Sequence, residues 1–193
     1  MAKVVDKDER RAHILDAAVR VFASKGAVGL KIRDIAKEAK VAKGTVYLYF
    51  ENKDAILHAI MDDLHGRGDE ASLYELLASP MPAVDKLHAV VEGFVHSTLN
   101  NEYPLELMPE LWAAIIRSDQ KDRLNARVKN THQAVTALLR ELGAKAEKAE
   151  KLGAGMLALF HGAIILHVLS PEDFNLRDVT EAVVNMLIEG IRD

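Results

Sequence analysis

Residues 32–53 read IRDIAKEAKVAKGTVYLYFENK, and their pattern decides the fold. Ile32, Ile35, Ala36 and Ala39 recur at helical spacing and predict a first short helix, over about 31–38, with one apolar face. Val41 and Val46 predict a second helix, over about 42–48, buried against the first. Ala36 is small where the two helices would cross, which allows a close approach. Between these apolar points stand Lys43, Gly44, Thr45 and Tyr47, which have no packing reason to be there. A cation, a residue without a side chain, a hydroxyl and a phenol suit a surface that meets phosphates and base edges.

The chain around this stretch predicts two further helices. Ile14, Ala17, Ala18, Val21 and Phe22 fall at i, i+3, i+4, i+7 and i+8, an amphipathic stripe within a helix over about 8–25. Gly26 is a good helix stop. Arg10, Arg11 and Arg20 lie off the stripe, on a face that is either solvated or in contact with phosphates. A fourth helix, from about Asn52 to His65, carries Ile56, Leu57, Ile60, Met61 and Leu64, with Asn52 as its N-cap. Gly66 and Gly68 then weaken the helix. Residues 1–7 are polar and predicted to fray.

The stretch resembles the helix-turn-helix of the tetracycline-repressor (TetR) family of bacterial transcription regulators. The residues that carry the resemblance are Arg33-Asp34-Ile35-Ala36, Ala39, Val41, Gly44-Thr45-Val46-Tyr47-Leu48-Tyr49-Phe50, Asn52-Lys53 and Ile56-Leu57. It covers roughly residues 8–60. It implies an all-α protein with a three-helix DNA-binding domain over 1–53 and a helical-bundle effector-binding and dimerisation domain over 54–193. The fourth helix would join the two, so its tilt could carry a signal.

The resemblance also implies a ligand-responsive regulator, expected to be a repressor, that binds a palindromic operator as a homodimer and leaves it when a small effector binds. The helix around Ala42–Leu48 would enter the major groove, with Lys43 and Thr45 reaching base edges or phosphates and Gly44 letting the backbone come close. Tyr47 and Lys53 would contact phosphate, Arg33 phosphate or base, and Tyr49 either DNA or the core. The sequence departs from the family pattern in three places. Leu30 or Lys31 stands where the family has Thr or Ser, Lys40 where it has Gly, and Ala42 where it has Ser or Thr. The first and third remove N-caps, worth around 1 kcal/mol each. The second puts a lysine where a turn favours positive φ.

Bulk properties agree with a head and a body of different character. The chain has 193 residues, 49% hydrophobic and 28% charged, and no cysteine, which excludes disulfides and thiolate metal sites. Residues 1–54 hold 12 Lys and Arg against 8 Asp and Glu, whereas residues 55–193 hold 13 against 21. A basic head suits nucleic acid and an acidic body does not. The N-terminus has no apolar run to act as a secretory signal, and a cytoplasmic protein is expected.

The body reads as helices over about 69–78, 82–100, 104–117, 121–142, 146–169 and 175–191, with Pro82 and Pro104 in first turns and Gly143 at a helix end. Leu152–Leu169 holds no formal charge over 18 residues. Its glycines and histidines argue for a helix buried on two sides and against a membrane span. The last helix is apolar on a second broad surface. The resemblance implies that these two helices pair with their copies through Leu152, Met156, Leu159, Ala163, Val179, Val183, Met186 and Leu187, with Gly153, Gly155 and Ala158 allowing close approach. It further implies an effector pocket, for which Phe94, Met108, Trp112, Ile116, Phe160 and His161 are candidates. Such a lining suits a hydrophobic or acyl ligand. The segment GTVYLYFENKDAIL is reminiscent of family members that regulate fatty-acid metabolism.

An alternative function is a small helical ligand-binding protein or metal-dependent enzyme. Asp85, His88, Glu92 and His96 line one side of a helix and suit a metal by type. They flank the buried side marked by Leu87, Val91, Phe94 and Val95, so a solvated face is the simpler account and neither a metal nor a cofactor is expected. No Gly-rich phosphate loop, nucleophile elbow or HExxH motif is present.

Overall fold

The computed structural model describes residues 7–64, 69–100, 104–119 and 121–192, and among them every regular element is a helix. In order these are α1 (Lys7–Gly29), α2 (Ile32–Glu38), α3 (Lys43–Tyr47), α4 (Lys53–Leu64), α5 (Asp69–Ala78), α6 (Ala83–Leu99), α7 (Leu107–Ile116), α8 (Lys121–Glu141), α9 (Ala146–Leu169) and α10 (Leu176–Arg192). The protein is all-α. The expected weak point at Gly66 and Gly68 and most of the expected fraying N-terminus lie outside the described residues.

The chain forms two compact units. The first comprises Met1–His65 and Glu102–Leu124, and the second Gly66–Asn101 and Asn125–Asp193. Compactness thus groups α7 with α1–α4, a non-local pairing that helical periodicity does not encode. The core of the first unit is built from Ile14, Leu15, Phe22, Ile35, Val46, Phe50, Ile56, Leu57, Ile60, Leu111 and Ile115, all buried. The stripe read on α1 faces this core, as do Ile56, Leu57, Ile60 and Met61 of α4. α7 is anchored to α1 by a polar contact as well. The helical path of α1 breaks at Gly26, at φ 66° and ψ −179°. The backbone N–H of Ala27 just beyond donates to Glu110 Oε1 of α7 at 2.7 Å.

In the second unit, Leu87, Val91 and Val95 of α6, Val135, Leu138 and Leu139 of α8, Met156, Phe160 and Ala163 of α9, and Leu176, Val183, Val184 and Leu187 of α10 are buried. The buried Lys86 ammonium donates to the Leu77 carbonyl at 2.9 Å and to Glu141 at 3.1 Å, tying α5, α6 and α8 together. α8 ends in a Schellman turn: Gly143, at φ 101°, donates to the Arg140 carbonyl, and Ala144 N–H reaches back to Leu139. Asn52 caps α4 through Oδ1, which accepts from Ala55 N–H at 2.8 Å. Two proline placements differ from expectation. Pro82 is the N-cap of α6 with extended ψ, and Pro104 precedes α7, its carbonyl accepting from Leu107 N–H.

Candidate nucleic-acid interface

The two short helices meet through Ile35, Ala36 and Val46, which are buried, with Val41 half-buried against the same core. The turn between them keeps Schellman geometry despite Lys40. Val41 N–H donates to the Ala36 carbonyl at 2.9 Å and Lys40 N–H to Lys37 at 3.2 Å. Lys40 itself sits at φ 54°, so the side chain tolerates the left-handed region and the turn does not change shape. Neither α2 nor α3 receives a side-chain cap: Lys31 and Ala42 are extended N-cap residues without one.

α3 turns its inner face to the core with Val46, and backbone bonds from Tyr49 and Phe50 to the Val46 carbonyl continue the coil to a buried Phe50. Ala42, Lys43, Gly44 and Tyr47 are exposed, Thr45 is half-buried, and Tyr49 packs half-buried on the core. The Lys43 ammonium lies 5.7 Å from the centroid of the Tyr47 ring, so cation and phenol share one patch. No side chain stands near Gly44, where an added Cβ would meet nothing within 4 Å. Lys53, at the start of α4, is half-buried, and Arg33, on α2, is largely exposed and 3.5 Å from Asp34.

Other charges are engaged within the unit. Arg20 bonds Glu38 at 2.8 Å, and Lys25 bonds Asp34 at 2.8 Å. The Lys25 hydrogen bond, with Arg33 adding its charge, holds the Asp34 carboxyl below its ordinary value. Arg11 stacks over Phe50 with its guanidinium carbon 5.0 Å from the ring centroid. His13 Nε2–H donates to the Ala39 carbonyl at 2.9 Å, bracing the end of α2 against α1. Sequence reasoning passed over Leu48. It is 77% exposed beside Tyr47, and the angular spacing of α3 was the signal that could have found it.

The remaining candidates are distributed between the units. Phe94 and Phe160 stack in the second unit at 4.9 Å between centroids, and His161 Nδ1–H donates to the Leu157 carbonyl. Met108 is buried in the core of the first unit, Trp112 packs against that core, and Ile116 is exposed. Of the residues assigned to pairing, Met156, Ala163, Val183 and Leu187 face the interior of their own unit. Leu152 and Val179 are half-buried, while Leu159 and Met186 are exposed. Gly153 is also engaged inside the unit, where a Cβ would meet Thr136 Oγ1 at 2.8 Å. Asp85, His88, Glu92 and His96 are all exposed, and Glu92 is held by Arg177 at 2.6 Å. Among the described residues no three His, Asp or Glu side chains gather as metal ligands.

A helix-turn-helix that presents lysine, glycine and tyrosine from a helix clamped by valine and phenylalanine, in an all-α chain with a second helical unit, defines a DNA-binding transcription regulator. The comparisons with known proteins carry this further. Residues 14–60 match the profile of bacterial regulatory proteins of the tetR family, and residues 83–192 that of the BetI-type transcriptional repressor C-terminal region. The chain belongs to the TetR family of bacterial transcription regulators and is not an enzyme. It is 26% identical over 192 residues to the fatty acid metabolism regulator protein of Bacillus subtilis, covering 97% of this chain and 98% of that one. It is 27% identical over 173 residues to the transcriptional regulator BetI of Escherichia coli, covering 88% of each. Its fold matches NalD, the secondary repressor of the MexAB-OprM multidrug efflux pump in Pseudomonas aeruginosa. That likeness has a TM-score of 0.79 and 20% identity, and covers 97% of this chain and 100% of that one.

Proposed function

We propose that the protein is a repressor that binds a palindromic operator as a homodimer and is released from it by a small apolar effector. The observation that carries the reading is the outward patch of Lys43, Gly44 and Tyr47 on a helix whose inner side is locked by Val46. Arg33, Ala42, Thr45, Tyr49 and Lys53 complete the proposed set of DNA-contacting residues. Two heads on one dimer would read half-sites about 34–36 Å apart.

Support for pairing comes from the second unit. Leu152, Gly155, Leu159, Gly162, Leu166 and Leu169 of α9 recur at spacings of three and four, and Leu159, Leu166 and Leu169 are exposed, Leu169 to 74%. Met186 of α10 is exposed to 65%. An apolar seam of this period suits a helical bundle between copies. The membrane-like length and hydropathy of α9 are then accounted for by burial in the chain's own core on one side and by a second subunit on the other. The effector reading rests on the apolar pair Phe94 and Phe160, stacked at 4.9 Å within the second unit, and on the names of the relatives, one of them a regulator of fatty-acid metabolism. A cytoplasmic location follows from the proposed contact with operator DNA.

Selection of duplexes from a random pool, followed by fluorescence anisotropy on the winner, tests the core claim. A palindromic winner bound by a particle of twice 21.3 kDa is expected. Recovery of no preferred sequence, or a mass of one chain at micromolar concentration, overturns it. Long-chain acyl-CoA added to the complex should release the DNA if the effector is acyl.

A further inference from the structure

We infer that Leu48 reads a thymine in the operator by packing on its C5 methyl group. The inference rests on the proposal that α3 enters the major groove. Leu48 is the C-cap of α3 but keeps helical angles, φ −70° and ψ −21°, and Phe50 N–H bonds the Val46 carbonyl at 3.0 Å. Beyond Tyr47 the chain keeps turning in the helical sense to Phe50, with tighter three-residue bonds from Leu48 to Thr45 and from Tyr49 to Val46, and side chains advance about 100–120° per residue along it. Val46 and Phe50 mark the buried direction. Leu48, two residues from each, stands on the opposite side of the coil.

The side chain aimed most directly away from the core is therefore an isobutyl group, 77% exposed. Its position one turn before, on the same line, is Gly44, where an added Cβ would meet nothing within 4 Å. No side chain at that position holds Leu48 away from an approaching surface. Lys43 and Tyr47 lie together beside this line, 5.7 Å from ammonium to ring centroid, and supply the polar, phosphate-seeking flank.

An exposed leucine at the tip of a groove-entering helix has no hydrogen bond to offer a base. The major-groove edges of the four base pairs carry donors, acceptors and one apolar feature, the thymine methyl. Leu48 therefore discriminates by excluding water from that methyl, and cytosine, which lacks it, is disfavoured at the same position.

The test uses uracil, which keeps every hydrogen-bonding group of thymine and lacks only the methyl. Each thymine of the selected operator is replaced singly by deoxyuridine, and binding of the full-length parent and of Leu48→Ala is followed by anisotropy at fixed salt. One thymine per half-site is expected at which uracil weakens the parent about 3- to 10-fold, the worth of one buried methyl contact. Leu48→Ala is expected to bind the all-thymine operator more weakly by a similar factor and to be indifferent to uracil at that position alone. Its unfolding midpoint should lie close to the parent's, because the side chain is 77% exposed. If the parent selects and binds an operator but no thymine shows uracil sensitivity that Leu48→Ala removes, the inference is overturned and the DNA-binding reading stands. If the parent selects no sequence at all, both fall together.

Discussion

Replacing Gly26 by alanine tests the non-local contact that ties α7 to the DNA-reading unit. Gly26 sits at φ 66° and ψ −179°, a region open essentially to glycine alone, so an alanine there carries about 1–3 kcal/mol of backbone strain. Its Cβ would collide with Glu110 Oε1, the atom that accepts the Ala27 N–H bond at 2.7 Å. The carboxylate must swing away, and losing a hydrogen bond to a charged acceptor costs about 1.5–3 kcal/mol. Stiffening the unfolded chain returns about 0.4–1 kcal/mol. The net expectation is a loss of about 3 kcal/mol, or a fall of about 1–2 M in the urea midpoint for a slope near 2 kcal/mol/M. The single tryptophan, Trp112 on α7, packs on the core of this unit, so its fluorescence reports the unfolding that matters. In a Glu110→Ala background the collision and the bond are already gone, and Gly26→Ala should cost only about 1 kcal/mol. A Gly26→Ala protein within about 0.5 kcal/mol of the parent, or an equal cost in both backgrounds, would refute the reasoning.

Three other outcomes follow from the same geometry. Lys40→Gly relieves a left-handed lysine in an intact Schellman turn and should raise the thermal midpoint by about 2–4 °C, the shift expected for roughly 1 kcal/mol in a chain of this size, checked by calorimetry. Lys43→Ala should weaken operator binding and lower the slope of log affinity against log salt by about 1, and Tyr47→Ala should weaken it with the fold intact by circular dichroism. Glu92 accepts two hydrogen bonds from Arg177, which hold its carboxyl below the ordinary 4.5. A depressed carboxyl contributes stability that is present above its ordinary value and lost as pH falls through the depressed one. Parent and Glu92→Gln should therefore differ in thermal midpoint near pH 6, with the gap narrowing as pH falls below 4.5, and a gap that widens on acidification would contradict the pairing.

Much of the candidate patch was legible because the determinants of its exposure are local. The face of α3 follows from which residues recur with Val46, and the Asn52 cap and the Gly143 stop each act within a few residues. Lys40 shows where local reading stops short. The sequence posed two alternatives, a strained lysine or an altered turn, and only the backbone bonds to Ala36 and Lys37 decided for strain. Leu48 lies within the motif, but an apolar residue in a helix reads as core until the backbone shows that it faces outward.

By itself the sequence determined the helices and their approximate ends, the basic head and the helix-turn-helix, since each depends on periodicity, capping and charge within one segment. The tertiary structure decided which side of a helix turns inward when two sides are apolar. On α9 and α10 it buries Met156, Ala163, Val183 and Leu187 and leaves Leu159, Leu166, Leu169 and Met186 outside. It also decided that α7 joins the first unit through Glu110. Hydrophobic spacing marks a face as apolar but carries no label for its partner, and that choice is made only when distant segments compete to cover one another.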